Sequence, residues 1–417
     1  MPTIIKNVKI VNAEQTIQGD ILIKNGKFAK ISDEIAAQSG YEVVDGGGLC
    51  AIPGLVDIHV HLRDPGQTHK EDIASGCAAA AAGGVTSLVC MPNTLPTVDN
   101  PETVAYIKEK AALTGVKVYP AAAITYGISG KGCCDYAALK SAGAAALSDD
   151  GRPVESDEML IEALQEGVRL NLPVLCHCED LKQAAGGKVH EGEISKALGV
   201  KGMSSASEYE DIDRTIRLAE QVNAPVHICH VSTAESLRII REAKARGVKV
   251  TCETAPHYFV YTHEKLLSRD ADYRMNPPLR EECDRKAVIQ ALIDGTIDAI
   301  ATDHAPHSPE EKADFVNAPN GVVGMETSLA ATMTYMGEIL SMNDIIRLMS
   351  FNPAKIMGID GGEIKEGASA DFALVDPDEK WIVDVDKLHG KSKNAVFKGV
   401  ELTGRVKATY CGGKKVY

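Results

Sequence analysis

Between residues 53 and 302, short apolar strands alternate with amphipathic helices, and this alternation limits the possible folds more than any other feature of the chain. The strand-like runs are 55–60, 85–91, 116–123, 144–148, 173–177, 225–230, 249–254 and 297–302. Helical stretches at 69–82, 101–113, 156–170, 207–222, 233–246 and 283–294 lie between them, and another follows at 341–358. Parallel strands need long crossovers, which helices supply. Eight such strands over about 300 residues predict a (β/α)8 TIM barrel rather than an open doubly wound sheet. The glycine-rich phosphate signatures of nucleotide folds are absent. Thr68-His69-Lys70-Glu71 reads as a capping box that opens the first helix, with Glu71 reaching back to the cap.

The flanks have a different texture. Residues 1–52 hold the β-like pieces Thr3–Val11, Gly19–Lys24, Lys27–Ile31 and Tyr41–Asp45, with a hairpin signal at Asn25-Gly26. The tail turns β-like again at Asp371–Val375, Ala395–Phe397, Glu401–Tyr410 and Lys414–Tyr417. Residues 1–52 and 359–417 are therefore expected to pair into one small β-sandwich domain beside a barrel spanning 53–358.

Composition narrows the class of function. A net charge of −14 argues against generic nucleic-acid binding and requires any anionic ligand to find a local cationic pocket. No apolar run approaches the roughly 20 residues that span a bilayer, and the N-terminus lacks a signal-peptide pattern. Eleven cysteines, several in apparent core strands (Cys90, Cys176, Cys178, Cys229, Cys252), read as reduced thiols of a cytoplasmic protein.

The polar residues at the strand ends carry the chemistry. In Asp57-Ile58-His59-Val60-His61-Leu62-Arg63, two histidines spaced by two on a strand can point at one spot, and zinc favours such ligands. Asp149-Asp150-Gly151 follows strand four, His177 closes strand five, His230 closes strand six and Asp303 closes strand eight. Taken singly, Asp-Asp-Gly is most often a solvated turn, and a lone histidine is often a satisfied core residue. Together they gather at the carboxyl ends of the strands, where barrel enzymes keep their chemistry. Cys176 and Cys178 face away from His177 on a strand and are read as core. His227 is read as structural, and His69, His190, His263 and His389 as helix or loop residues without a special role.

With these motifs in place, the chain resembles the amidohydrolase superfamily, and within it the bacterial type I dihydroorotases. Besides the opening strand motif, the resemblance rests on Met91-Pro92-Asn93-Thr94, Ser148-Asp149-Asp150-Gly151, His177-Cys178-Glu179-Asp180, His230-Val231-Ser232-Thr233, Asn276-Pro277-Pro278-Leu279-Arg280 and Thr302-Asp303-His304-Ala305-Pro306-His307. Many relatives bridge two zinc ions with a carboxylated lysine on strand four, but Gly143–Ser148 holds no lysine. In the type I branch the second aspartate of Asp-Asp-Gly takes that role, which maps onto Asp150.

The resemblance implies zinc, one or two ions per subunit with two favoured, held by His59, His61, Asp150, His177, His230 and Asp303. It implies reversible closure of N-carbamoyl-L-aspartate to L-dihydroorotate, with Asp303 as the catalytic proton carrier. Arg63, two residues past His61, has the guanidinium fork that suits a substrate carboxylate. By resemblance Asn93 and His307 complete that grip, His61 also lies against substrate, and Asn276 with the backbone of Asn320-Gly321 meets the ring amides. The alternatives are a dihydropyrimidinase, hydantoinase or allantoinase, or a non-catalytic scaffold homologue. A small-molecule substrate and a homodimer are expected, association with an aspartate carbamoyltransferase is left open, and neither nucleic acid nor membrane is an expected partner.

Overall fold

The computed structural model describes all residues, 1–417. Its centre is a closed parallel barrel with strands Leu55–Val60, Val85–Cys90, Lys117–Ala122, Ala146–Leu147, Leu175–Cys176, Val226–Ile228, Val250–Thr254 and Ala299–Ile300. The first four and the last four pair in chain order as two parallel sheets. The parallel bridges Leu147↔Val174 and Val60↔His304 join these sheets at both edges, so no edge is left open. All eight expected strands are present, most of them shorter than the apolar runs that announced them. Val56, Val89, Ala121, Ala146, Leu175, Cys229 and Ala299 share one buried cluster. Residues from opposite walls can meet in this way only inside a closed barrel.

Helices close the strand-to-strand connections at Ile73–Ala82, Pro101–Ala111, Tyr136–Ala142, Asp157–Leu170, Ala206–Gln221, Ala234–Ala245 and Glu282–Ile293. Gly143 ends one of them at φ 106°, a left-handed angle that glycine adopts without a Cβ penalty. The first helix begins later than expected. Its cap is Asp72, reciprocated by Ser75, and not the Thr68–Glu71 box. Glu71 is instead fully buried and accepts bonds from Ser75 Oγ and the Lys391 amide. Tertiary partners from the C-terminal segment outcompete the local cap.

The terminal segments form one eight-stranded sheet. Thr3–Val11 pairs with Thr16–Lys24 and Glu42–Asp45, and Cys50–Pro53 connects this half to Phe372–Ile382, Glu401–Cys411 and Lys414–Lys415. Phe28 and Phe372 stand four strands apart in sheet order, yet their rings lie 5.8 Å apart. A flat sheet would separate them by roughly 19 Å, so the sheet folds over on itself around its own core. Residues 395–397, expected as a strand, form an irregular segment and turn; Ala395, Val396 and Phe397 are buried by packing rather than by pairing.

Candidate metal centre

Loops at the carboxyl ends of the strands place the site residues, and the motif residues that are not ligands explain how. Asp57 accepts bonds from Thr302 N (3.1 Å) and Thr302 Oγ1 (2.6 Å), which ties the end of strand one to strand eight. Burial raises its pKa to about 6 against those hydrogen bonds. Asp64 pairs with Lys110 at 3.0 Å and accepts from the Tyr106 hydroxyl at 2.8 Å. A Cβ on Gly66 would lie 1.7 Å from Leu95 O, so only glycine lets the Arg63 loop pack on the Asn93 loop. The two aspartates of Asp149-Asp150 diverge. Asp149 turns back to the amides of Ile124 (2.7 Å) and Thr125 (3.0 Å), and Asp150 faces the centre.

All six expected ligands converge. His59 Nε2 is 3.2 Å from Asp150 Oδ1, and His61 Nε2 is 3.5 Å from Asp150 Oδ2 and 3.2 Å from Asp303 Oδ1. His177 Nδ1 and His230 Nε2 each lie 3.7 Å from Asp150 Oδ1 and 2.9 Å from each other. The donor atoms of His59, His61 and Asp150 lie within 4.8 Å of one another, as do those of Asp150, His177 and His230. Asp150 belongs to both triplets.

The electrostatics of this cluster suit a cation. Burial resists charge on Asp150, but His59, His230 and His61 around it hold the carboxyl well below its usual range. Burial likewise opposes a proton on His59, and Asp150 overcomes it, so His59 is pushed well above its ordinary value. Asp303, despite burial, is held at about 2 by its bond to His61 and the charges of His59, His61 and His230. His59 Nε2, Asp150 Oδ1 and His230 Nδ1 are buried without a hydrogen-bond partner. Buried polar atoms rarely stay unpaired, and an imidazole–carboxylate set with free lone pairs is a metal-ligand set. The residues therefore fit a divalent metal. His230 (φ 36°), Asp303 (φ 46°) and Arg63 (φ 59°) all adopt left-handed backbone angles, a strain that tends to collect at functional sites.

Arg63 is buried, and its side chain bonds to Pro306 O through Nε (3.2 Å) and approaches His307 Nε2 with Nη2 (3.4 Å). His307 Nε2 also contacts Asn320 O at 2.9 Å, so Arg63, His307 and the Asn320-Gly321 turn form one wall. Burial and the neighbouring charges of Arg63, Lys70 and Lys312 depress His307 to about 3, which keeps it neutral. Asn93 sits nearer the ligands than the carboxylate grip required: its Oδ1 accepts from His61 Nδ1 at 2.8 Å and its Nδ2 lies 3.5 Å from Asp150 Oδ2. Asn276 stands across the site, donating to Glu179 Oε2 at 2.9 Å.

Two carboxylates escaped the sequence reading. Glu253 Oε1 takes His59 Nδ1 at 2.8 Å, while its Oε2 lies 3.2 Å from His227 Nε2. It fixes the His59 tautomer so that Nε2 is free to ligate. His227, read as merely structural, is the far end of this chain. Glu179 Oε2 does the same for His177 Nε2, at 3.0 Å. Glu253 leaves a faint signal, a carboxylate inside an otherwise apolar and threonine-rich buried strand, Val250–Thr254.

Residues 48–236 match the family model described as Dihydro-orotase-like, and residues 206–417 match that of the Amidohydrolase family. A dihydroorotase of Geobacter metallireducens is 48% identical over 100% of both chains. One from Acetivibrio thermocellus is 45% identical over 99% of this chain and 98% of its own. Among solved structures, the L-hydantoinase (dihydropyrimidinase) of Arthrobacter aurescens superposes with a TM-score of 0.88 at 26% identity, covering 99% of this chain and 95% of that one. The dihydropyrimidinase of Brevibacillus agri superposes with a TM-score of 0.86 at 28% identity, covering 100% and 95%. The hydantoinase-like architecture and the full-length sequence likeness lead to one assignment: the chain belongs to the dihydroorotase family of the amidohydrolases.

Proposed function

We propose that this chain interconverts N-carbamoyl-L-aspartate and L-dihydroorotate at a centre that would hold two zinc ions, with Asp150 a candidate ligand of both. His59, His61 and Asp303 would hold one ion, and His177 and His230 the other. Bound zinc supplies an acidified water and a Lewis acid for the ring carbonyl. The protein's own groups do the rest. In hydrolysis Asp303, ionised in its resting state, takes a proton from the attacking water and hands it to the ring nitrogen as the C–N bond breaks. The carbonyl carbon keeps the hydroxyl. Ring closure retraces these steps, with Asp303 protonated at the start.

The observation that carries the substrate is Arg63. It is a buried guanidinium whose Nε donates to a main-chain carbonyl and whose Nη2 lies 3.4 Å from an imidazole nitrogen, with no carboxylate bonded to it. A buried cation in that state is set to receive an anion. His307 supports the same carboxylate, while Asn93 orients His61 and reaches toward it. Asn276 and the Asn320-Gly321 backbone flank the ring. The hydantoinase-like neighbours motivate a second reading, cleavage of a carboxylate-free hydantoin or dihydropyrimidine, which leaves Arg63 without a counter-ion.

The eleven free cysteines fit a reducing cytoplasm, and no helix is long and apolar enough to cross a membrane. A homodimer and an aspartate carbamoyltransferase, which makes the proposed substrate, are the assemblies to test. The deciding experiment is a zinc count on purified protein, with hydrolysis of dihydroorotate, dihydrouracil and hydantoin measured side by side. Two zinc ions and a strong preference for dihydroorotate are expected. A preference for either carboxylate-free ring overturns the reading.

A further inference from the structure

Lys312 ends the short helix Pro309–Lys312 that follows His307, and only 9% of it is exposed. Its ammonium donates to three main-chain carbonyls, those of Arg274 (3.3 Å), Pro319 (3.0 Å) and Gly321 (2.9 Å). An ammonium has three protons, so the full set is spent on the carbonyls of Pro319, Gly321 and the adjoining Arg274, and none goes to a carboxylate. Burial drives this amine down to about 7, against the pull of Asp272, whose carboxylate is engaged by Lys398 at 2.6 Å. Holding a charge there is costly, and a neutral side chain would avoid the cost.

Arg274 grips the same loop from the other side. Its Nη1 donates to Phe315 O (2.6 Å) and Val316 O (2.8 Å), and its Nη2 to Asn320 Oδ1 (3.1 Å). The Gly321 amide donates back to Arg274 O at 2.9 Å. Residue 274 stands two places before Asn276, so these bonds couple the segment bearing Asn276 to the turn bearing Asn320 and Gly321. Gly321 itself has φ 141°, and a Cβ there would lie 2.6 Å from Ala305 O, which leaves the turn little room to shift.

We propose that Lys312, backed by Arg274, is a positioning residue that fastens segment 312–321 as a fixed wall of the substrate pocket rather than a mobile lid. This rests on the reading that the Asn320-Gly321 turn touches the substrate ring. Loss of the ammonium frees the turn, and substrate binding then carries the cost of ordering it. The defect belongs in KM, with the chemical step at the metal ligands intact.

The test uses the metal-replete enzyme and dihydroorotate hydrolysis. Lys312→Met should raise KM about tenfold or more, with kcat within about threefold and zinc content unchanged. Lys312→Arg, which keeps a charged donor, should recover part of the loss. Gly321→Ala, whose Cβ would lie 2.6 Å from Ala305 O and so displace the backbone of the turn, separates the two layers of the argument. If it leaves KM unchanged, the turn does not touch substrate, and both that reading and the proposal fail. If it raises KM and Lys312→Met does not, the reading stands and the role of Lys312 is refuted. Hydrogen exchange on the unmodified enzyme covers the case of a variant that does not fold. Amides of residues 315–321 should be protected equally with and without dihydroorotate. Protection gained only on binding would mean a loose lid and would overturn the proposal.

Discussion

Replacing Arg63 with methionine is the sharpest test of substrate choice. Burial lowers the guanidinium to about 10, with Asp303, Asp150 and Glu311 pulling the other way. That drop corresponds to roughly 3 kcal/mol spent on keeping the charge out of water. A carboxylate placed on the fork recovers much of this through charge-assisted hydrogen bonds, each worth about 1.5–3 kcal/mol. Methionine keeps an unbranched apolar stem, lacks the guanidinium fork and gives up the bond to Pro306 O. We therefore expect kcat/KM for dihydroorotate to fall by about 2–4 kcal/mol, or roughly 30- to 1000-fold. Thermal stability should hardly change, because a methionine is cheaper to bury than an unpaired cation. Arg63→Lys should fall between the two, since it retains charge but not the planar fork. The assay is steady-state hydrolysis of dihydroorotate beside dihydrouracil, with zinc content and melting temperature recorded for each variant. Equal losses on both substrates, or a loss that tracks zinc or stability, would refute the clamp.

Other groups in the site predict separate outcomes. His61→Ala should lose zinc and turnover together, measured by metal analysis and activity; full metal with full activity would remove His61 from the ligand set. Asp303→Asn should be inactive in both directions while keeping part of its metal, because an amide cannot ferry a proton; in the unmodified enzyme hydrolysis should rise with pH and cyclisation fall, and parallel profiles would contradict a shared proton carrier. Glu253→Gln should weaken zinc binding by about 10- to 100-fold in competition with a chelator, since the carboxylate behind His59 sets its tautomer and basicity. In the metal-free protein, Glu253 is held at about 2 despite its burial by its bonds to His227 and His59. Its folded pKa lies below the unfolded value near 4.3, so its stabilisation is complete above about pH 4.3 and fades toward pH 2. Acid unfolding of metal-free Glu253→Gln should lack that component, and an unchanged slope across the window would argue against the buried ion pair.

Much of the candidate site was legible in the chain because the residues that converge there obey a period. His59 and His61 share a strand face by spacing alone, and Asp150, His177, His230 and Asp303 each follow a recognisable apolar run. Strand ends in a barrel converge, so finding the strands found the centre. The expected helix cap at Thr68–Glu71 failed for the opposite reason. The local pattern permitted it, but Lys391, some 320 positions away, meets the buried Glu71 carboxylate, and Asp72 took the cap. Ala395–Phe397 failed similarly: apolar residues in a row mark burial, and burial there comes from packing without a ladder.

The divergence of Asp149 from Asp150 follows from hydrogen bonds to Ile124 and Thr125, which lie in the loop after the neighbouring strand Lys117–Ala122. Glu253 and Glu179 were invisible as partners of His59 and His177, because each acts through a histidine supplied by another element or its own loop. Lys312 and Arg274 carry no motif, and only the fold brings their charges to one turn. The sequence by itself determined the element order, the barrel, the residue types at the strand ends and the family, because these depend on periodicity and on the chemistry of single residues. Tertiary structure alone decided which aspartate faces the histidine cluster, which carboxylates stand behind the histidines and which cations bond to the 312–321 segment. Those are contacts between distant segments, and their energies exist only once the strands have closed.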